Sequence, residues 1–203
     1  MTRKVRAEIV RRVRAYQNLR GVSWWFNELA HHTEKDRHYH CMVSMVFAAF
    51  TLEAALNHFG QEKVLGWTGD DLKRKLNIND KRKRVGAALG MTPDMNARPW
   101  KTFKAVFDFR NLLAHAVSEV VKEVGEFELE EGERLPEPLT EWERQISLST
   151  CQEYLDDSKA MLLELGVAAG MKREEVLTGE VIETRSVVIW DSDHPSSNGP
   201  PRD

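Results

Sequence analysis

Cysteine is scarce: the 203 residues hold only Cys41 and Cys151. Two cysteines make no disulfide framework, and in apolar, helix-like surroundings they read as reduced core thiols of a cytoplasmic protein. Long apolar runs are missing as well. The longest, Cys41 to Leu52, stops at Glu53, well short of the about 20 residues that a bilayer-spanning helix needs. The first residues are charged and carry no apolar stretch of the signal-peptide kind, so a soluble protein without membrane contact is expected. Internal repeats are absent. Metal-ligand spacing is absent too, although His31, His32, His38, His40 and Cys41 lie close together in sequence. His32, Asp36 and His40 share one helical face within about 80° at 100° per residue. That spacing matches neither a zinc knuckle nor the Glu-x-x-His of carboxylate di-iron bundles. Solvated histidines, no metal and no cofactor are the expectation.

Charge is nearly balanced in total, at −3, but it is segregated. Residues 1–20 set seven Arg/Lys against Glu8, and residues 70–84 set seven against three aspartates. Residues 119–143 set ten glutamates against Lys122 and Arg134. Any one of these reads as a solvated face. Two basic stretches together favour a phosphate-bearing partner, which the acidic stretch repels.

Periodicity predicts a mainly all-α protein: a helical bundle with a small β-hairpin appendage. Residues 2–20 read as a basic helix with the stripe Val5, Ile9, Val13 and Tyr16. Gly21 ends it, and Ser23 caps a short continuation through the adjacent Trp24 and Trp25, which points to docking on the main body or on a partner subunit. Residues 34–59 are apolar nearly all round, so this helix belongs at the centre of the bundle, with Gly60 as its C-cap. Glu53 and Asn57 are polar exceptions on it, i and i+4 apart, and need partners. They either pair with each other to set register or support groups on a facing helix. Short helices are expected over Asp70–Leu76 and Asp80–Leu89. Val120–Leu129 and Gln145–Leu148 read as paired strands, and Ser149-Thr150-Cys151-Gln152 as the start of a last long helix through Leu165. Glu180–Trp190 reads as a lone strand or arm, and residues 191–203 as disordered. The implied domains are a basic extension (1–32), a bundle with a β insert near 119–148 (33–178), and a C-terminal arm with its tail (179–203).

Chemistry concentrates in Phe107-Asp108-Phe109-Arg110-Asn111-Leu112-Leu113-Ala114-His115, late in a helix that starts near Pro99. Phe103, Val106, Phe107, Leu113, Ala114 and Val117 mark its buried stripe. Lys101, Lys104, Asp108, Asn111 and His115 line a polar face, and Arg110 sits at the border between the two. The bare spacing Arg-x4-His carries no weight, since 17 Arg and 7 His in 203 residues give about 0.6 such pairs by chance (17 × 7/203). The surrounding residues carry the weight: Arg-Asn-x-x-Ala-His closing a Phe-rich helix, with polar Glu53 and Asn57 on an earlier one.

That arrangement resembles the HEPN superfamily of all-helical domains over roughly residues 35–170. Its metal-independent ribonucleases carry an Arg-x4-6-His motif, commonly with a polar residue after the arginine. The resemblance implies an endoribonuclease with Arg110, Asn111 and His115 catalytic and with Glu53 or Asn57 supporting them. Arg11, Arg12, Arg14, Lys101 and Lys104 are the basic residues expected on RNA. The resemblance also implies a homodimer whose two motifs line one cleft, with Phe109 and Leu112 available for the contact. HEPN ribonucleases occur as toxins, as phage-defence effectors and as RNA-processing enzymes, and a toxin brings an antitoxin or other regulatory partner. The alternative is a catalytically inactive HEPN-like binding or assembly module in which Arg110 and His115 make only structural bonds.

Overall fold

The apolar segment that begins near Cys41 sets the centre of the molecule. In a computed structural model, the described residues are 5–67, 76–126, 128, 130, 135, 137–178 and 181–188, with backbone alone for 5–12 and 181–188. The elements are β1 (Val5–Arg12), α1 (Ala15–His32), α2 (Arg37–Lys63), α3 (Ile78–Ala88), α4 (Lys101–Ala114), α5 (Glu141–Arg144), α6 (Leu148–Ala168), α7 (Arg173–Leu177) and β2 (Val181–Val188). Residues 14–179 form one compact unit, and the β1–β2 ladder belongs to a second.

Within the helical unit, α2 packs against α1, α3, α4 and α6. It buries Met45, Ala48, Ala49, Leu52, Ala55, Leu56 and Phe59, and α4 adds Phe103, Val106, Phe107 and Phe109. Met161, Leu162 and Leu165 of α6 and Tyr16 of α1 complete the core. Among the described residues α2 alone is long and apolar enough to cross a membrane, but half of its apolar window is buried inside the bundle.

Glycines behave differently from the sequence expectation. Gly60 lies inside α2 instead of capping it, because the helix continues to Lys63. Its missing side chain makes room for Trp67: a Cβ there would fall 2.3 Å from the indole. Gly166 does the same for Val176, which folds α7 onto α6 at 2.3 Å from a hypothetical Cβ. Gly21 does not break α1, which runs unbroken from Ala15 to His32. Ser23 is buried rather than capping. It donates to the Ser44 carbonyl at 2.9 Å, and Ser44 donates back to the Ser23 carbonyl at 2.8 Å. This reciprocal pair outweighs the about 1 kcal/mol helix penalty of a glycine. Residues 15–32 therefore pack in the bundle and are not part of an N-terminal extension.

Three further expectations change. Residues 5–12 form strand β1 and not a helix. Val5, Ala7 and Ile9 alternate with Arg6 and Glu8, a period of two that favours a strand over a helix once a partner strand exists. That partner is β2, antiparallel, from Val5↔Val188 to Arg12↔Val181, so the strand over Glu180–Trp190 is not a lone one. Among the described residues the predicted hairpin near 119–148 is not seen. Residues 120–126 have no regular structure, and 127 and 129 lie outside the described residues. Residues 145–147 turn into α6, whose N-cap is Ser147, accepting from the Thr150 amide at 3.1 Å. A Thr140–Glu143 capping box opens the short α5 there. The expected helix over Asp70–Leu76 falls almost wholly outside the described residues.

Candidate functional site

Helix α4 is built to present one face. Arg98 donates Nε to both oxygens of Asp157 on α6, at 3.0 and 2.9 Å, and Thr102 donates to the same buried carboxylate. α4 starts at Lys101, two residues after Pro99. Its inner side enters the core through Phe103, Val106, Phe107 and Phe109, while Lys101, Lys104, Asp108, Asn111 and His115 are all exposed. This is the polar face that the spacing predicts. The buried stripe is shifted, because α4 ends at Ala114; Ala114 is exposed and Val117 is 75% exposed.

Arg110 sits between the two faces. Its Nη2 donates to Glu53 Oε2 at 3.0 Å, and its guanidinium carbon lies 5.6 Å from the centroid of the Phe107 ring. The other oxygen of Glu53 accepts from Lys81 Nζ on α3 at 2.8 Å. Side-chain exposure falls from Glu53 (31%) through Arg110 (24%) to Lys81 (5%). One carboxylate therefore holds two cations, and the triad keeps a net positive charge. A half-buried charge cluster of this kind gains from its low-dielectric surroundings only because each charge is hydrogen-bonded. The contact thus joins Glu53 of α2 to Arg110 of α4 from the facing helix. Asn57 does not share in it: its Oδ1 is buried without a hydrogen bond, and no bond joins it to Glu53.

Asn111 and His115 stand one turn apart on the solvent side, since His115 caps the helix and its amide donates to the Asn111 carbonyl at 3.0 Å. Among the described residues the His115 imidazole has no hydrogen-bond partner, which leaves both nitrogens open to a ligand. Asn111 also lines a cleft of about 430 Å³ between α3 and α4, together with Asn77, Asp80, Lys83, Lys104 and Asp108. Lys104 is ion-paired with Asp108 across one turn.

Among the described side chains, Arg14 and Lys101 lie apart from this site. Arg14 donates Nη1 to the Glu175 carbonyl at 3.1 Å, which fixes it on α7. Lys101 lines a different, smaller pocket beside Arg98. The side chains of Arg11 and Arg12 lie outside the described residues. Phe109 is fully buried, with its ring 6.4 Å from that of Tyr154, and is not available for a subunit contact. Leu112 is half-buried. Exposed aromatic surface lies on Trp24 and Trp25 of α1 and on Tyr39 and Phe50 of α2.

The two cysteines also meet. Cys151 is buried and hydrogen-bonds Asn27 Oδ1 at 3.1 Å. Its thiol interacts with that of Cys41, which pushes the Cys151 pKa up and the Cys41 pKa down.

Sequence reasoning missed Lys81, and a signal for it existed. Ile78, Lys81, Val85 and Leu89 recur at helical spacing along α3, so this lysine interrupts an apolar stripe and needs a carboxylate facing it. Arg98 and Asp157 gave no comparable signal, since their pairing joins two elements 59 residues apart. Among the described residues no three His, Cys, Asp or Glu side chains gather as a metal-binding group. No family model, curated protein or solved structure matches this chain.

Proposed function

We propose that this chain is a metal-independent endoribonuclease of the HEPN kind, acting as a cytoplasmic homodimer. The observation that carries the reading is the guanidinium of Arg110, braced by Glu53 and Phe107 beside the exposed Asn111 and His115. A neutral imidazole removes the proton from a ribose 2′-OH, and the 2′-oxygen attacks the adjacent phosphorus. The bond from phosphorus to the 5′-oxygen then breaks, and the leaving oxygen takes a proton from an imidazolium. The products are a 2′,3′-cyclic phosphate and a 5′-hydroxyl. Arg110 stabilises the charge that builds on the non-bridging oxygens, and Asn111 orients the phosphate. One helix brings one histidine, so a second copy supplies the other. Tyr39 and Phe50 of α2, exposed on the helix that carries Glu53, offer the apolar surface for that pairing. Such an enzyme fits a toxin, defence or RNA-processing role, with an antitoxin or other regulatory protein as a further partner.

Incubating RNA with the protein in EDTA, beside a His115→Ala variant, tests the reading. Cleavage should persist in EDTA, spare DNA of the same sequence and vanish in the variant. Dependence on an added divalent ion would refute the metal-free route. A second reading, an inactive binding or assembly module, is favoured by one feature: Arg110 spends Nη2 on Glu53 and rests on Phe107, as a structural arginine does. Absence of cleavage by the dimer on any RNA would decide for it.

A further inference from the structure

We propose that Lys81, Glu53 and Arg110 form a half-buried oxoanion site in which Lys81 is the positioning residue that keeps Arg110 net cationic toward a phosphate-class ligand. The proposal rests on reading Arg110 as the phosphate-facing group.

An arginine paired with one glutamate is a neutral unit and holds a phosphate poorly. Here the same carboxylate also serves Lys81, with one oxygen for each cation, at 2.8 Å and 3.0 Å. The charge sum of the triad is therefore +1. A lysine buried for packing alone gains most from a carboxylate of its own, because an ammonium in the interior carries a large desolvation cost. Sharing leaves that charge only partly compensated, and an anion completes the compensation. Lys81 is 5% exposed, so it meets no ligand directly and acts through Glu53. Among the described residues Glu53 takes only Nη2 of Arg110, which leaves Nη1 for a ligand, while Nε is buried without a partner. Arg82, the next residue on α3, repeats the pattern, with its Nε unpartnered and its guanidinium carbon 5.8 Å from the Phe103 ring centroid. The Phe103 and Phe107 rings lie 4.9 Å apart, so two cationic groups flank one aromatic pair. The α3–α4 cleft that opens beside these rings is lined by Lys83, Lys104 and Asn111, with Asp80 and Asp108 on the same walls.

The test separates charge from structure. Inorganic phosphate is titrated into full-length protein while the Arg110 side-chain Nε–H resonance is followed by NMR, with Arg110→Lys identifying the signal. Wild type should show a saturable shift. Lys81→Met brings the triad to zero charge and should weaken phosphate about tenfold, the effect of one unit charge at about 7 Å in a partly screened site. Lys81→Arg should retain binding. The double variant Glu53→Gln/Lys81→Met restores the charge of +1 without either ion pair and should regain most of the affinity, which an effect of misfolding would not do. Equal affinity in wild type and Lys81→Met, or no saturable shift in wild type, overturns the proposal. RNA cleavage is scored separately, as kcat and KM. Lysine-dependent phosphate binding without cleavage retires the nuclease reading and leaves the anion site standing. Cleavage with unchanged kcat and KM in Lys81→Met overturns the site and leaves the nuclease standing.

Discussion

Replacing Glu53 by Gln tests the energetics of the triad directly. The substitution preserves the shape of the side chain and removes its charge. Arg110, at 24% exposure, can rehydrate at modest cost, but Lys81, at 5%, is left as an ammonium without a carboxylate. Breaking a fully buried pair in this way costs about 3–5 kcal/mol. Glu53 is itself 31% exposed, so screening brings the expected loss to about 2 kcal/mol. For a folded unit of this size that corresponds to about 4–8 °C in Tm. Urea unfolding followed by far-UV circular dichroism measures the difference. The double variant Glu53→Gln/Lys81→Met should recover more than half of the loss, because it removes the stranded charge. The two changes touch one network and should therefore be strongly non-additive. A loss below about 0.5 kcal/mol for Glu53→Gln, or simple additivity in the double variant, would refute the claim that Lys81 depends on this carboxylate.

Gly60→Ala places a methyl group against the Trp67 indole and should destabilise by about 1–3 kcal/mol, as overpacking does; an unchanged unfolding midpoint contradicts the contact. Burial lowers the pKa of His58, whose ring lies 5.3 Å from that of Tyr16 and meets Phe59 edge-on at 5.1 Å. Its contribution is thus complete above the unfolded value near 6.5 and declines as pH falls through the lower folded value. Unfolding free energy should drop between pH 7 and 5 in wild type and drop less in His58→Gln, and identical pH slopes would exclude this origin. Phe50→Asp should convert a dimer to a monomer in light scattering without loss of helix signal, whereas a dimer that survives it pairs through another surface. In mixtures, Arg110→Ala and His115→Ala protomers should regain part of the RNA cleavage that each lacks alone if the two motifs share a cleft.

Much of the bundle is readable along the chain because helical amphipathicity is a local property. The nearly all-apolar run from Cys41 to Leu56 announces a central helix, and the exposed face of α4 follows from the spacing of Lys101, Lys104, Asp108, Asn111 and His115. The capping chemistry at Thr140 and Ser147 is equally local, although strand-like residues around 120 and 145 masked it. Partnership is what local sequence does not contain. Residues 5–12 satisfy a period of two and a period of 3.6 about equally well, and strand β2, more than 160 residues away, decides between them. Gly60 looks like a helix end until Trp67 is seen to need the space. Phe109 looks free for a subunit contact until Tyr154 covers it. At the candidate site, the residue types on α4 and Glu53 amid the apolar run of α2 are visible in the sequence. That Glu53 meets Arg110 and Lys81 on two other helices, and that Asn57 meets neither, depends on how α2, α3 and α4 cross. Long-range packing alone determines that geometry, because the energy that selects it is spread over the whole shared core.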